Sequence, residues 1–131
     1  MLKLNHKNLD VWQLSITFTK KIYNLTDNFP NSETFGLSGQ LRRAAVSVSS
    51  NIAEGSTRKS KLERIRFFKI ARSSIVEIDT QLEISKQLNY AKQDILEEID
   101  KDINRIFAIL SQLIKKLEMM KFHFYLFRFH V

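Results

Sequence analysis

Nine basic side chains fall between residues 42 and 72: Arg42, Arg43, Arg58, Lys59, Lys61, Arg64, Arg66, Lys69 and Arg72. Only Glu54 and Glu63 oppose them there. The whole chain carries a net charge of +7, so this stretch accounts for as much positive charge as the entire protein has in excess. Residues 73–118 reverse the balance, with six basic and nine acidic side chains. Clustered lysine and arginine bind phosphates, and such binding weakens as salt rises. The expected ridge consists of Arg58, Lys59, Lys61, Arg66, Lys69 and Arg72. No interleaved exposed aromatic is expected among residues 58–72, so the expected contacts are phosphates rather than bases. The competing reading is an ordinary solvated helix face.

A second group is polar. Arg43, Ser47, Asn51 and Glu54 follow one another at steps of four, four and three, which keeps them on one helix face. Glu77 and Gln81 form a similar pair four apart. A hydrogen-bonded network between two helices would satisfy these groups and fix helix register or an inter-subunit contact. A polar pocket for a small ligand is the alternative.

Catalytic and metal chemistry lacks its residues. The three histidines, His6, His123 and His130, stand near the chain ends, and there is no cysteine. No Glu-x-x-His pair suits a di-iron bundle, zinc spacing is missing, and no glycine-rich phosphate loop occurs. Arg128 and His130 lie close together, but in an atypical tail. The expectation is a non-enzyme without cofactor or metal, binding other macromolecules.

Long helices must position these groups, because three glycines and one proline are too few for a turn-rich β protein. Helix one is expected over 9–29, with Val11, Ser15, Phe18, Ile22, Leu25 and Phe29 on one face, and Pro30 ending it. Helix two, over 38–54, carries the stripe Leu37, Leu41, Ala44, Val48 and Ile52. It is rich in alanine and serine, which suits close helix packing, and Gly55 is expected as its left-handed cap. Helix three, over 60–88, begins with Ser60 and Glu63 as a capping box. Phe68, Ala71, Ile75, Ile78 and Leu82 cluster within roughly 80° of its arc, with Lys61, Arg66, Lys69 and Arg72 opposite. Asn89 and Tyr90 are the expected turn. Helix four, over 93–119, carries Ile95, Ile99, Ile103, Ile106, Leu110, Leu113 and Leu117.

Four amphipathic helices with short links predict one all-α domain over 1–131, an antiparallel up-down four-helix bundle. The tail, 120–131, holds Phe122, Phe124, Tyr125, Phe127 and Phe129, and is expected as an extended segment or a final amphipathic turn. It is expected to dock on its own bundle or on a neighbouring subunit. The polar N-terminus and the lack of long apolar runs predict a cytoplasmic protein without a membrane partner.

The string Gln40-Leu41-Arg42-Arg43-Ala44-Ala45-Val46-Ser47-Val48-Ser49-Ser50-Asn51-Ile52-Ala53-Glu54-Gly55 closely resembles the signature of the bacterial four-helix-bundle family encoded by intervening sequences in 23S rRNA genes. Leu9-Asp10-Val11-Trp12-Gln13 with Phe29-Pro30 resembles that family's opening helix. Ile70-Ala71, Ser73-Ser74, Glu77 and Thr80-Gln81-Leu82 resemble its third, and the resemblance spans roughly residues 8–118. Ser73 stands where the family often has glycine, and the aromatic tail is not a family feature. The resemblance implies a homopentamer around a central channel. It also implies kinship with accessory proteins of diversity-generating retroelements, which associate with a reverse transcriptase and nucleic acid. Arg42 and Arg43 are further expected nucleic-acid-binding residues, along the inter-subunit or channel surface. Ser47, Asn51, Glu54, Glu77 and Gln81 are expected as structural or oligomer contacts. The expected function is an oligomeric nucleic-acid-binding accessory protein, with RNA favoured over DNA. The alternative is an oligomeric protein scaffold, with a reverse transcriptase as one partner.

Overall fold

A computed structural model of the chain describes residues 1–129. It consists of four α-helices: α1 (Asp10–Thr26), α2 (Leu37–Thr57), α3 (Lys61–Gln87) and α4 (Gln93–Phe129). Short 3-10 turns precede α1 (Asn5–Asn8) and α2 (Asn31–Glu33), and no strand occurs among the described residues.

Each helix packs against two others. α1 and α3 both lie alongside α2 and α4, while the backbones of the diagonal pairs stay apart among the described residues. Contacts run in opposite directions along each neighbouring pair. From α1 to α2, Ser15 meets Ser49, Thr19 meets the carbonyl of Ala45, and Thr26 meets Arg42. From α2 to α3, Gln40 meets Gln81, Ser47 meets Ser74, and Gly55 meets Arg64. From α3 to α4, Lys69 meets Glu118 and Arg72 meets Ser111. Successive helices are therefore antiparallel.

The expected stripes of the first three helices form the core. All six named positions of the first stripe, all five of the second and all five of the third are buried. The fully buried Phe18, Ile22, Leu41, Ile52, Ile75, Ile78, Ile99, Ile106 and Leu110 dominate it. Each such side chain contributes roughly 1.5–3 kcal/mol through removal of apolar surface from water. In α4 the stripe drifts: Ile114 is buried where Leu113 was expected, and Leu113 is only half-buried. A step of four after Leu110 keeps a straight helix aimed at the core.

Several expected boundaries differ. α1 stops at Thr26, yet Phe29 still reaches the core from the connecting turn. α2 runs past Gly55 to Thr57, so Gly55 is no left-handed cap. That role falls to Asn89 after α3, with φ 59°. There the Tyr90 amide donates to Ser85 and the Asn89 amide to Lys86, closing the helix end. α4 continues as helix through Phe129, so residues 120–129 are not an extended tail. No glycine or proline follows Met119 to stop it. Met119, Met120 and Leu126 are exposed. His130 and Val131 lie outside the described residues, as do the side chains of Phe122, His123, Phe124, Tyr125, Phe127 and Phe129. No helix among the described residues is long and apolar enough to cross a membrane.

Candidate nucleic-acid interface

The basic stretch is centred on the corner where α2 hands over to α3. Only Arg58, Lys59 and Ser60 separate the two helices. Ser60 caps α3 by accepting a hydrogen bond from the Glu63 amide at 3.4 Å. The other half of the corner is closed by Gly55, where an added Cβ would lie 2.7 Å from Cε1 of Phe68. Arg64 then donates from Nε to the Gly55 carbonyl at 3.3 Å, satisfying an end-of-helix acceptor.

The eight expected nucleic-acid-binding residues divide into distinct groups. Lys59, Lys61 and Arg66 are exposed, and no carboxylate among the described residues pairs with them. Arg58 is also exposed and lies 2.8 Å from Glu54, four residues back on α2. These four surround the corner.

Lys69 and Arg72 lie further along α3 and are engaged by α4. Lys69 forms an ion pair with Glu118 at 3.1 Å. Arg72 donates to the Ser111 hydroxyl at 3.3 Å and lies 5.9 Å from the ring centre of Phe107. The expected ridge therefore does not extend along the whole first half of α3 as unpaired charge. The placement of α4 neutralises or occupies its far end.

Arg42 and Arg43 are neighbours in sequence but not in role. Arg42 bridges α2 to the end of α1: its Nε donates to Thr26 Oγ1 at 2.8 Å, and its Nη2 donates to Asp27 Oδ1 at 2.8 Å. Its guanidinium also lies 4.7 Å from the ring centre of Tyr23. Arg43 is exposed and lies over Gly39, where an added Cβ would be 3.2 Å from Nη1.

One arrangement at the corner has no counterpart in the sequence reading. Phe67 is half-buried at the corner, with Arg58 Cζ 4.9 Å and Arg66 Cζ 5.5 Å from its ring centre. An aromatic thus lies among the basic residues, half-buried rather than exposed. Arg66, immediately before it in the chain, was the available signal.

Two separate hydrogen-bonded pieces stand where one network was expected, and Arg43 joins neither. Ser47 and Ser74 share a hydrogen bond of 3.0 Å, and Asn51 donates to the Ser47 carbonyl at 2.8 Å and to its hydroxyl at 3.1 Å. Further along, Gln81 donates to Glu77 at 3.1 Å and to Gln40 at 3.5 Å. The buried Gln81 Oε1 has no protein partner. Glu54 belongs to neither part, since it pairs with Arg58. No three His, Cys, Asp or Glu side chains among the described residues gather as a metal site.

A second polar bridge lies on the far side of the bundle. Lys21 of α1 reaches Asp102 at 2.9 Å and Glu98 at 3.0 Å on α4. Its hydrogen bond to Asp102, followed by that to Glu98, raises its pKa above the ordinary 10.5.

Comparison with known proteins agrees with this architecture. A family model described as "23S rRNA-intervening sequence protein" matches residues 7–112. A solved structure from Bacteroides thetaiotaomicron, described as a protein of unknown function from the S23 ribosomal protein family, is similar with a TM-score of 0.74. It is 28% identical, and the match covers 80% of this chain and 95% of that one. No curated protein matches the chain.

Proposed function

The chain belongs to the 23S rRNA-intervening sequence protein family, and from that premise we propose that it is a non-catalytic RNA-binding accessory protein that works as a cytoplasmic homopentamer. The observation that carries this reading is the unpaired charge at the α2–α3 corner. Lys59, Lys61 and Arg66 are exposed, and no carboxylate among the described residues neutralises them. Such side chains pay little desolvation on meeting phosphate and release its counterions. Five copies in a ring would multiply the effect, since linked sites bind one strand with raised effective concentration. The family association with ribosomal RNA genes favours RNA as the polyanion.

The test is charge reversal at Lys59, Lys61 and Arg66 together. RNA affinity should fall by at least tenfold at low salt, while oligomer mass and helix content stay unchanged. Unaltered affinity contradicts the assignment of this corner.

A second reading, a protein scaffold, draws on α3. Leu62, Val76 and Ile84 are 59%, 52% and 45% exposed there. Apolar side chains of this kind suit a protein contact. A reverse transcriptase is one partner class for that reading. An assembled protein that ignores RNA at low salt would favour it.

A further inference from the structure

We infer that Phe67, flanked by Arg58 and Arg66, is a stacking site for an unpaired RNA base, so that the corner selects single-stranded over duplex RNA. This inference rests on the RNA-binding reading above and specifies which part of an RNA the site takes.

The geometry begins with the ring. Phe67 is half-buried, so part of it is fixed against the bundle and part remains accessible. Two guanidinium carbons lie near it, Arg58 Cζ at 4.9 Å and Arg66 Cζ at 5.5 Å. A guanidinium near an aromatic ring is attracted to the ring's π face, and its own plane is also a surface on which bases stack. Arg58 is further restrained by Glu54 at 2.8 Å. Arg66 has no carboxylate partner among the described residues and is exposed, so it is available to a ligand.

The surroundings supply the rest of a nucleotide's needs. Lys59 and Lys61 are exposed on the same three-residue turn and first helical turn, with no ion pair among the described residues. A nucleotide offers a flat apolar base and a phosphate on either side of it. Stacking on the Arg–Phe platform and phosphate contacts to the two lysines use both. A shallow concavity of about 510 Å³ that Arg66 helps to line, with Leu62, Ile65, Lys69, Ile70 and Glu77, offers a neighbouring base some apolar surface. Duplex RNA keeps its bases paired and presents phosphates and sugars, so it gains nothing from Phe67. Base stacking on aromatics tolerates any sequence, because every base has a π face. The site should therefore prefer unpaired strands without strong base preference.

The test uses the full-length protein and two probes. One is a short single-stranded oligoribonucleotide carrying 2-aminopurine, and the other is its duplex with a complementary strand. Wild type should quench the 2-aminopurine fluorescence of the single strand and bind it more tightly than the duplex. Phe67→Leu, which keeps an apolar side chain at the bundle surface, should lose the quenching and weaken single-strand binding by about tenfold, as expected for one lost stack. Its duplex binding should not change. Arg66→Lys, at an exposed position that cannot disturb the core, should reduce quenching while preserving the salt dependence. If both variants quench and bind the single strand as wild type does, the stacking site is refuted while phosphate binding stands. Equal wild-type affinity for single strand and duplex refutes it as well. If wild type binds neither probe at low salt, the RNA-binding reading itself falls, and this inference with it.

Discussion

Gly55 of α2 faces Phe68 of α3 so closely that a Cβ on the glycine would lie 2.7 Å from the Phe68 ring. Phe68 is buried, and the Arg64 carbonyl lies 3.3 Å from the same point, so neither neighbour can yield easily. This contact sets how tightly α2 and α3 converge before the turn. It thereby fixes the spacing of the basic residues on both sides of that turn.

Gly55→Ala should therefore destabilise the protein despite alanine's better helix propensity. The clash is expected to exceed the propensity gain, for a net loss of about 1–2 kcal/mol. Chemical denaturation checks the value. A more stable variant would show that the helices part freely at this point.

Arg42→Met separates stability from RNA binding. Arg42 bonds Thr26, a buried residue, so the substitution leaves that hydroxyl without its charged partner. The loss should be about 1–2 kcal/mol, mostly from this bond, because the Asp27 partner is solvated. RNA affinity should change less than twofold beyond the loss of one charge. Denaturation and binding measured on the same sample check both statements.

The Lys21 bridge predicts a pH dependence on the alkaline side. Its folded pKa is raised above 10.5, so its contribution is complete below the unfolded value and is lost as pH climbs through the folded one. The stability difference between wild type and Lys21→Met should be constant through neutral pH and shrink above 10.5. Melting temperatures across that range check this. A difference that disappears near neutrality would contradict the assignment to Lys21.

Much of the bundle was legible in the sequence because burial repeats with helical period. The stripe from Val11 to Leu25 and that from Phe68 to Leu82 name core residues directly. Gly55 misled because glycine near a helix end serves both capping and close packing, and only the position of Phe68 distinguishes them. Lys69 and Arg72 were identified by type, but their engagement by Glu118 and Ser111 depends on the register between α3 and α4, which no local pattern records. The aromatic alternation after Met120 suggested an extended segment or a final amphipathic turn; nothing there breaks the helix, and α4 runs on through Phe129.

The most direct measurement is a salt titration of binding to a fluorescent structured RNA, with oligomer mass followed by light scattering in the same buffer. The account predicts a homopentamer whose affinity falls steeply with salt. Its log–log slope should be reduced by about two to three per protomer engaged when Lys59, Lys61 and Arg66 are reversed, as loss of that many phosphate contacts requires. A stable oligomer that ignores RNA at low salt, or a slope untouched by the reversal, would contradict it.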